Sequence, residues 1–366
     1  MRSVFLIGCL ALAGSTWAAE QGNLTVLQVL DLSGQHSDAG KDFLTGAKVY
    51  FDYINTHGGI NGKKITHVVA DDQGLPARTV ELTRQLLADS KPAVLFGYLG
   101  ADNVDAVLSD ALVRQGGLPL VGPYSGVHSN RWPNLFQVKA SYEDEVRKIL
   151  HMTSSLGINR IGLFYGNDTL GKTASATVDQ VLAGKNLQPV ARAAYFPRKN
   201  IQAAANAIAA QQPQAVILAA PTIASAQFVR EFQQLLPGTQ FFALSSVNHQ
   251  TLLEFLGPKQ AQGIAVTALT PSPYNPVTPI ARDYVRHLKQ FRDEAVSYAS
   301  IDGYISAKVL VEGLKNGSKS GNYQAAYAEM KPMDVGGYQV NINPKSGQAG
   351  HFVDVLVFSQ QGRLMN

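Results

Sequence analysis

From residue 24 to about residue 265 the chain alternates short apolar runs with longer stretches whose apolar positions recur every three to four residues. The short runs predict strands over 24–30, 65–70, 93–96, 119–121, 160–165, 189–195, 215–218, 241–244 and 263–266. Between the first two, Phe43, Ala47, Tyr50, Phe51 and Ile54 share one helical face, and Gly58-Gly59 supplies the stop. Val80, Leu82, Leu86 and Leu87 behave alike before Lys91-Pro92. Strand alternating with helix predicts an α/β fold with mostly parallel sheets and helices on both faces. The pattern repeats on either side of residues 137–143, so two such units are expected. After Thr267 it changes. Helices are expected over 279–291 and 300–315, then a polar run ending in Asp334-Val335-Gly336-Gly337, then strands over 338–342 and 351–358 and a turn at 360–363.

The first residues add an export reading. Met1-Arg2-Ser3 carries one positive charge, residues 4–14 are apolar or small, and Thr16-Trp17-Ala18 precedes Ala19. That is the build of a secretory signal over residues 1–18, cut after Ala18. The apolar stretch is shorter than the roughly 18 residues of a membrane span, and no other segment qualifies, so the mature chain is expected to have no span. Cys9, the one cysteine, lies inside this leader. Its surroundings resemble a short lipobox, but the apolar run continues beyond it, so ordinary export to the periplasm is expected over lipid anchoring. The mature body then has neither disulfide nor thiol chemistry.

The 366 residues suffice for two ordinary domains, and 45% hydrophobic with 16% charged residues indicates a packed, globular chain. The net charge of +4 is dispersed, which argues against nucleic acid as a partner.

Three segments carry a more specific signal. The first strand runs into Asp31-Leu32-Ser33-Gly34, the helix after it closes on Asn55-Thr56-His57-Gly58-Gly59-Ile60-Asn61-Gly62-Lys63, and the second strand ends in Asp71-Asp72-Gln73. The run resembles the amino-terminal lobe of type I periplasmic solute-binding proteins, in particular the branched-chain amino-acid (Leu/Ile/Val-binding-like) receptors of ABC transporters. Asp302 to Lys308 is similar to that family's helix near the hinge. The resemblance spans nearly the whole mature chain. It implies two lobes, each a doubly wound sheet, joined by three crossings near residues 138–141, 268–273 and 335–338. Lobe 1 would hold residues 19–140 with 270–335, and lobe 2 residues 141–269 with 336–366. It further implies a monomeric, non-enzymatic receptor without cofactor. Such a receptor captures a small polar or carboxylated solute, amino-acid-like or an aromatic or aliphatic acid, and delivers it to an ABC permease in the inner membrane.

In doubly wound sheets ligands bind beyond the carboxyl ends of strands. The candidates there are Ser33, which can cap the following turn or face a cleft, then Tyr98, Ala101 and Asp102, then Tyr124, Ser125 and Gly126. By the resemblance, Ala101 stands where amino-acid-binding relatives carry a carboxylate-holding serine, and Ser125 and the N–H groups around Gly126 form a second anion-binding turn. The opposing lobe offers Tyr165, Asn167 and Asp168, Thr222 after Pro221, and Ser246 after Ser245. Relatives place a carboxylate for the ligand ammonium near Ser246, and Asp168 or Asp102 can take over that pairing. The three tyrosines can stack on a planar ligand or pack in core and rim.

Asp71 and Asp72 read as a helix-start cap and a solvated residue. The histidines lack metal-ligand spacing, and His67 reads as packed. Gly166 to Thr173 matches a phosphate loop, with Lys172 for the charge and Thr173 for magnesium. Export away from nucleotide triphosphates favours a plain helix start with a solvated Lys172. A phosphate-loop enzyme is thus the remote alternative, and a sensing subunit for a signalling partner is the nearer one.

Overall fold

A computed structural model describes residues 22–126, 132–197, 200–342 and 350–365. The leader and Cys9 lie outside the described residues.

The first lobe opens with β1 (Leu24–Leu30), α1 (Ser37–Thr56), β2 (Ile65–Asp71), α2 (Pro76–Asp89), β3 (Val94–Phe96), α3 (Ala101–Ser109), α4 (Ala111–Gly116), β4 (Leu120–Val121) and β5 (Leu135–Phe136). Its five strands are ordered β2-β1-β3-β4-β5 and all pair in parallel. The chain then crosses into α5 (Tyr142–Ser155), β6 (Ile161–Gly166), α6 (Thr169–Ala183), β7 (Ala191–Tyr195), α7 (Ile201–Ala209), β8 (Ala215–Ala219), α8 (Thr222–Leu235), β9 (Gln240–Ala243), α9 (His249–Ala261) and β10 (Ala265–Ala268). It returns through α10 (Pro279–Phe291), α11 (Tyr298–Ser320), α12 (Tyr323–Ala328), β11 (Met333–Asp334) and β12 (Gln339–Val340), and ends in β13 (Asp354–Phe358) and β14 (Leu364–Met365). The second sheet is ordered β14-β13-β10-β9-β8-β6-β7, with β13 and β14 antiparallel.

Why these residues form these elements is clearest in the glycine-rich turn after α1. Asn55 donates to the Ile65 carbonyl at 3.0 Å and accepts from the Ile65 N–H at 2.8 Å, which seats the start of β2 against the helix end. Gly59 has φ +73°, and a Cβ there would lie 2.2 Å from the Lys63 carbonyl oxygen. Only glycine reverses the chain in that space. The segment that carries the family resemblance is therefore a structural turn.

Two expectations shift. Β5 escaped the sequence reading because two residues are too few to show a period of two. The third crossing also comes later than residues 335–338. Gly336 and Gly337, at φ +110° and +82°, turn the chain back so that β12 pairs antiparallel with β11. Val335, Tyr338, Val340 and Ile342 consequently pack in the first lobe's core beside Val138, Ile280 and Tyr304.

Tyr338 ties the hinge together. Its buried hydroxyl lies 3.2 Å from the Val138 carbonyl oxygen and 3.3 Å from that of Leu269, so one side chain of the first lobe's core touches the first two connecting regions.

Candidate ligand-binding cleft

The carboxyl ends of β1, β3, β4, β6, β8 and β9 point at one another across the gap between lobes, and a cavity with about 870 Å³ of empty space, its open mouth included, lies there. Lobe 1 lines it with His36, Ala39, Gly74, Pro76, Leu99, Gly100, Ala101, Asp102, Asn103 and Tyr124, and the far side with Tyr142, Asp168, Leu170, Ala220, Pro221 and Ser246.

Of the residues expected from sequence, Ala101, Asp102, Tyr124, Asp168 and Ser246 line this cavity. The others do not. Ser33 donates to Asp71 Oδ2 at 2.6 Å and pins the β1–α1 loop. Tyr98 is fully buried with its hydroxyl 2.8 Å from Thr83 Oγ1, on the α2 side of the sheet. Ser125 is buried. Gly126 lies against Tyr142, where a Cβ would sit 2.6 Å from the ring. Tyr165 is a half-buried β6 residue packed on the second lobe's core, and Asn167 is exposed. Thr222 accepts the Asn248 N–H at 3.0 Å, joining two loops. Ala39, Leu99, Leu170 and Ala220 were missed although they follow strand ends, because apolar and small side chains announce no chemistry, and His36 was missed because no spacing sets it apart from the other scattered histidines. Tyr142 had no signal.

The loops are held by buried carboxylates. Asp31 accepts from the N–H groups of Gly34 at 2.5 Å and His36 at 2.8 Å, which sets the first cleft loop. Asp72 is fully buried, not solvated as the sequence suggested. It accepts from Thr79 Oγ1 at 2.7 Å, Gly74 N–H at 2.9 Å and Asn103 Nδ2 at 3.2 Å. Its neighbour Asp71 serves the β1–α1 loop, accepting from Leu32 N–H at 2.9 Å as well as from Ser33. Asn103 is thus an anchored wall residue. Tyr124 N–H bonds the Tyr98 carbonyl at 2.8 Å and Gly100 N–H bonds the Tyr124 carbonyl at 3.2 Å, extending the β3–β4 pairing into the cleft.

The α6 end resolves the phosphate-loop match. Asp168 caps the helix by accepting the Gly171 N–H at 2.8 Å, and Asp102 reaches across from lobe 1 to the Thr169 N–H at 3.2 Å and the Thr169 hydroxyl. Carboxylates occupy the amides a phosphate would need, and Lys172 is exposed. Gly171 is required because a Cβ would lie 2.0 Å from the Gly166 carbonyl oxygen. Burial first, and then Asp102 nearby, hold the Asp168 carboxyl above the usual range, against the Gly171 bond and His36.

A second, smaller cavity lies behind Tyr124 and is lined in part by Lys139, Ser245, Thr267 and Asp302. Lys139 Nζ bonds Asp302 Oδ2 at 2.6 Å and sits 3.6 Å from the Tyr124 ring centre. Glu145 accepts from Ser245 N–H at 2.7 Å, Ser245 Oγ at 3.0 Å and the Thr267 hydroxyl, joining α5 to the ends of β9 and β10. Among the described residues no cluster of His, Cys, Asp and Glu could hold a metal ion, and no helix is long and apolar enough to cross a membrane.

Comparison with known proteins decides the family, since residues 24–359 match that of the periplasmic binding proteins. The chain belongs to the periplasmic binding proteins. This receptor is similar in structure to a substrate-binding periplasmic protein from Ralstonia solanacearum, at 30% identity and TM-score 0.87, covering 94% of this chain and 99% of that one. A possible leucine/isoleucine/valine-binding protein from Rhodopirellula baltica superposes with TM-score 0.84 at 22% identity, covering 94% and 96%. A branched-chain amino acid transporter substrate-binding protein from Streptococcus pneumoniae, solved with isoleucine, does so at 0.82 and 16% identity, covering 94% and 98%. The last two show the shared fold alone. In sequence, 101 residues are 32% identical to an amino acid binding protein from Pseudomonas aeruginosa, spanning 26% of this chain and 27% of that relative. The family comprises substrate-binding receptors rather than enzymes; they take small-molecule ligands, work with ABC permeases, and imply a periplasmic location.

Proposed function

We propose that this receptor captures a small amino-acid-like solute in the interlobe cleft by hinge closure and delivers it to an ABC importer. The observation that carries the reading is the cavity walled from both lobes, beside a hinge where one tyrosine bonds two connecting segments. A solute lying there touches both walls only when the lobes are closed, so it stabilises the closed form by its differential affinity. Apolar Ala39, Leu99, Leu170 and Pro221 beside polar Asn103, Tyr142 and Ser246 suit a small body with a few hydrogen-bonding groups. The name of the Pseudomonas aeruginosa relative supports amino acids as the class to try first.

The test is a thermal-shift panel on refolded, solute-free protein, with amino acids, short aliphatic and aromatic acids, amides, amines, and ATP with magnesium. Binding to the native state raises the melting temperature by mass action. A shift with one solute class, accompanied by a smaller radius of gyration in X-ray scattering, is expected. A shift with ATP and magnesium alone would refute the receptor reading.

A further inference from the structure

The charge of the cleft narrows the solute class. Among the described residues its lining holds two carboxylates, Asp102 and Asp168, and neither lysine nor arginine, with His36 the one described lining side chain of basic type. The nearby buried ammonium, Lys139, is already matched by Asp302 at 2.6 Å behind Tyr124. Both cleft aspartates meet at the start of α6, and each commits Oδ1 to that helix end. Their Oδ2 atoms accept no bond from another residue among the described residues. Across the cavity, Ser246 Oγ is shielded from water and has no hydrogen-bond partner among the described residues. A buried hydroxyl without a partner costs free energy until something bonds it, so it marks the wall as incomplete without a solute.

We propose that the cleft selects solutes bearing a cationic group, an ammonium, amidinium or guanidinium, seated between Asp102 and Asp168, and rejects solutes whose only charge is a carboxylate. The inference rests on the receptor reading above. A cation between two carboxylates removes their mutual repulsion and gains charge-assisted hydrogen bonds to both free oxygens. A lone anion in the same cavity meets two like charges and, among the described lining residues, no lysine or arginine to offset the hydration it gives up. A zwitterion remains admissible when its carboxylate points away from α6, toward Ser246. The raised proton affinity of Asp168 agrees, since it records negative charge held there at a cost.

The experiment is calorimetric titration of the refolded mature chain with paired solutes of equal length, one of each pair ending in an amine and the other in a carboxylate, in aliphatic and aromatic series. Amine-bearing members are expected to bind at least ten-fold more tightly than their carboxylate partners. Asp168→Asn, which keeps a good helix cap, is expected to reduce that preference at least ten-fold, as is Asp102→Asn. A carboxylate-only solute that binds as tightly as its amine partner, or a preference that survives both substitutions together, overturns the charge assignment. Such a carboxylate, if it also compacts the protein in X-ray scattering, leaves the receptor reading standing. If no member of either series compacts the protein, both readings fall.

Discussion

Lys139 shows how much one residue can carry at the hinge. Its side chain is 7% exposed and pairs with Asp302 at 2.6 Å in the segment that first crosses between lobes. Lys139→Met leaves Asp302 buried with only the Ser306 hydroxyl at 3.2 Å. A loss of about 3–5 kcal/mol in urea unfolding is expected, and Lys139→Met with Asp302→Leu should recover most of it, because the cost lies in the unpaired charge. Equal losses in single and double variants would rule out that account. His67 offers a test of sign. Its ring lies 4.9 Å from Phe51 edge-on, Nε2 is 2.9 Å from Gln28 Oε1, and Nδ1 is buried without a partner among the described residues. Burial, then Lys48, lowers its pKa to about 3. The folded value is below the unfolded one, so the contribution is intact above about pH 6.5 and is lost as pH falls toward 3. Between pH 6.5 and 5 this amounts to about 2 kcal/mol, and His67→Phe should flatten that part of the stability profile. At this scale the sequence was legible where side-chain type and strand-end position agreed, as at Asp102, Asp168 and Ser246. It was illegible where the backbone decides which way a residue points. Tyr98 and Tyr124 both follow strands, but one hydroxyl turns to Thr83 in the core and the other ring faces the cleft.

Between elements the tightest contact joins α1 to α11. A Cβ on Gly303 would stand 2.0 Å from the Phe43 carbonyl oxygen, and one on Gly46 would stand 1.7 Å from that of Ser300. Each helix therefore presents a glycine to the other's backbone, and the aromatic side chains of Phe43, Tyr50 and Tyr304 fill the space beside the contact. Gly303→Ala forces the helices apart even though alanine favours a helix by about 1 kcal/mol over glycine. A net loss of at least about 1–3 kcal/mol is expected from the overpacking, read as a lower melting temperature; an unchanged or higher one would mean the helices separate freely. The α1 stripe and the bounds of α10 were readable as periodicity. The length of α11, which runs to Ser320 rather than 315, was not, because Asn316-Gly317-Ser318 reads as a stop. Tyr323 and Tyr327 pack over Gly317 and Gly313 and hold that last turn in place, a tertiary contact that no local pattern announces.

In the whole molecule the lobes meet directly at several points besides the hinge, among them Gln250 on the Tyr274 hydroxyl at 2.8 Å and His249 edge-on to Tyr298; two of these contacts bear on closure. Asp102 holds the start of α6, and Thr251 Oγ1 donates to Asp38 Oδ2 at 2.8 Å. Neither Thr251 nor Asp38 lines the cavity, so their contact biases closure without touching the solute. An exposed hydrogen bond of this kind contributes about 0.5–1.5 kcal/mol. If the closed form is the binding-competent one, apparent affinity scales with its population, and removing the contact weakens binding by the same factor for every solute. Thr251→Val, which keeps shape and loses the hydroxyl, is therefore expected to raise the solute-free radius of gyration and to weaken all solutes by about 2–10-fold. Their order of preference should stay unchanged. Asp102 sits at both a lobe contact and the cavity wall, so Asp102→Asn should change affinity and order together. Comparing the two variants separates closure from recognition. If Thr251→Val reorders the solutes, closure and recognition are not separable in this hinge; if it alters neither compactness nor affinity, the Asp38 contact has no part in closure.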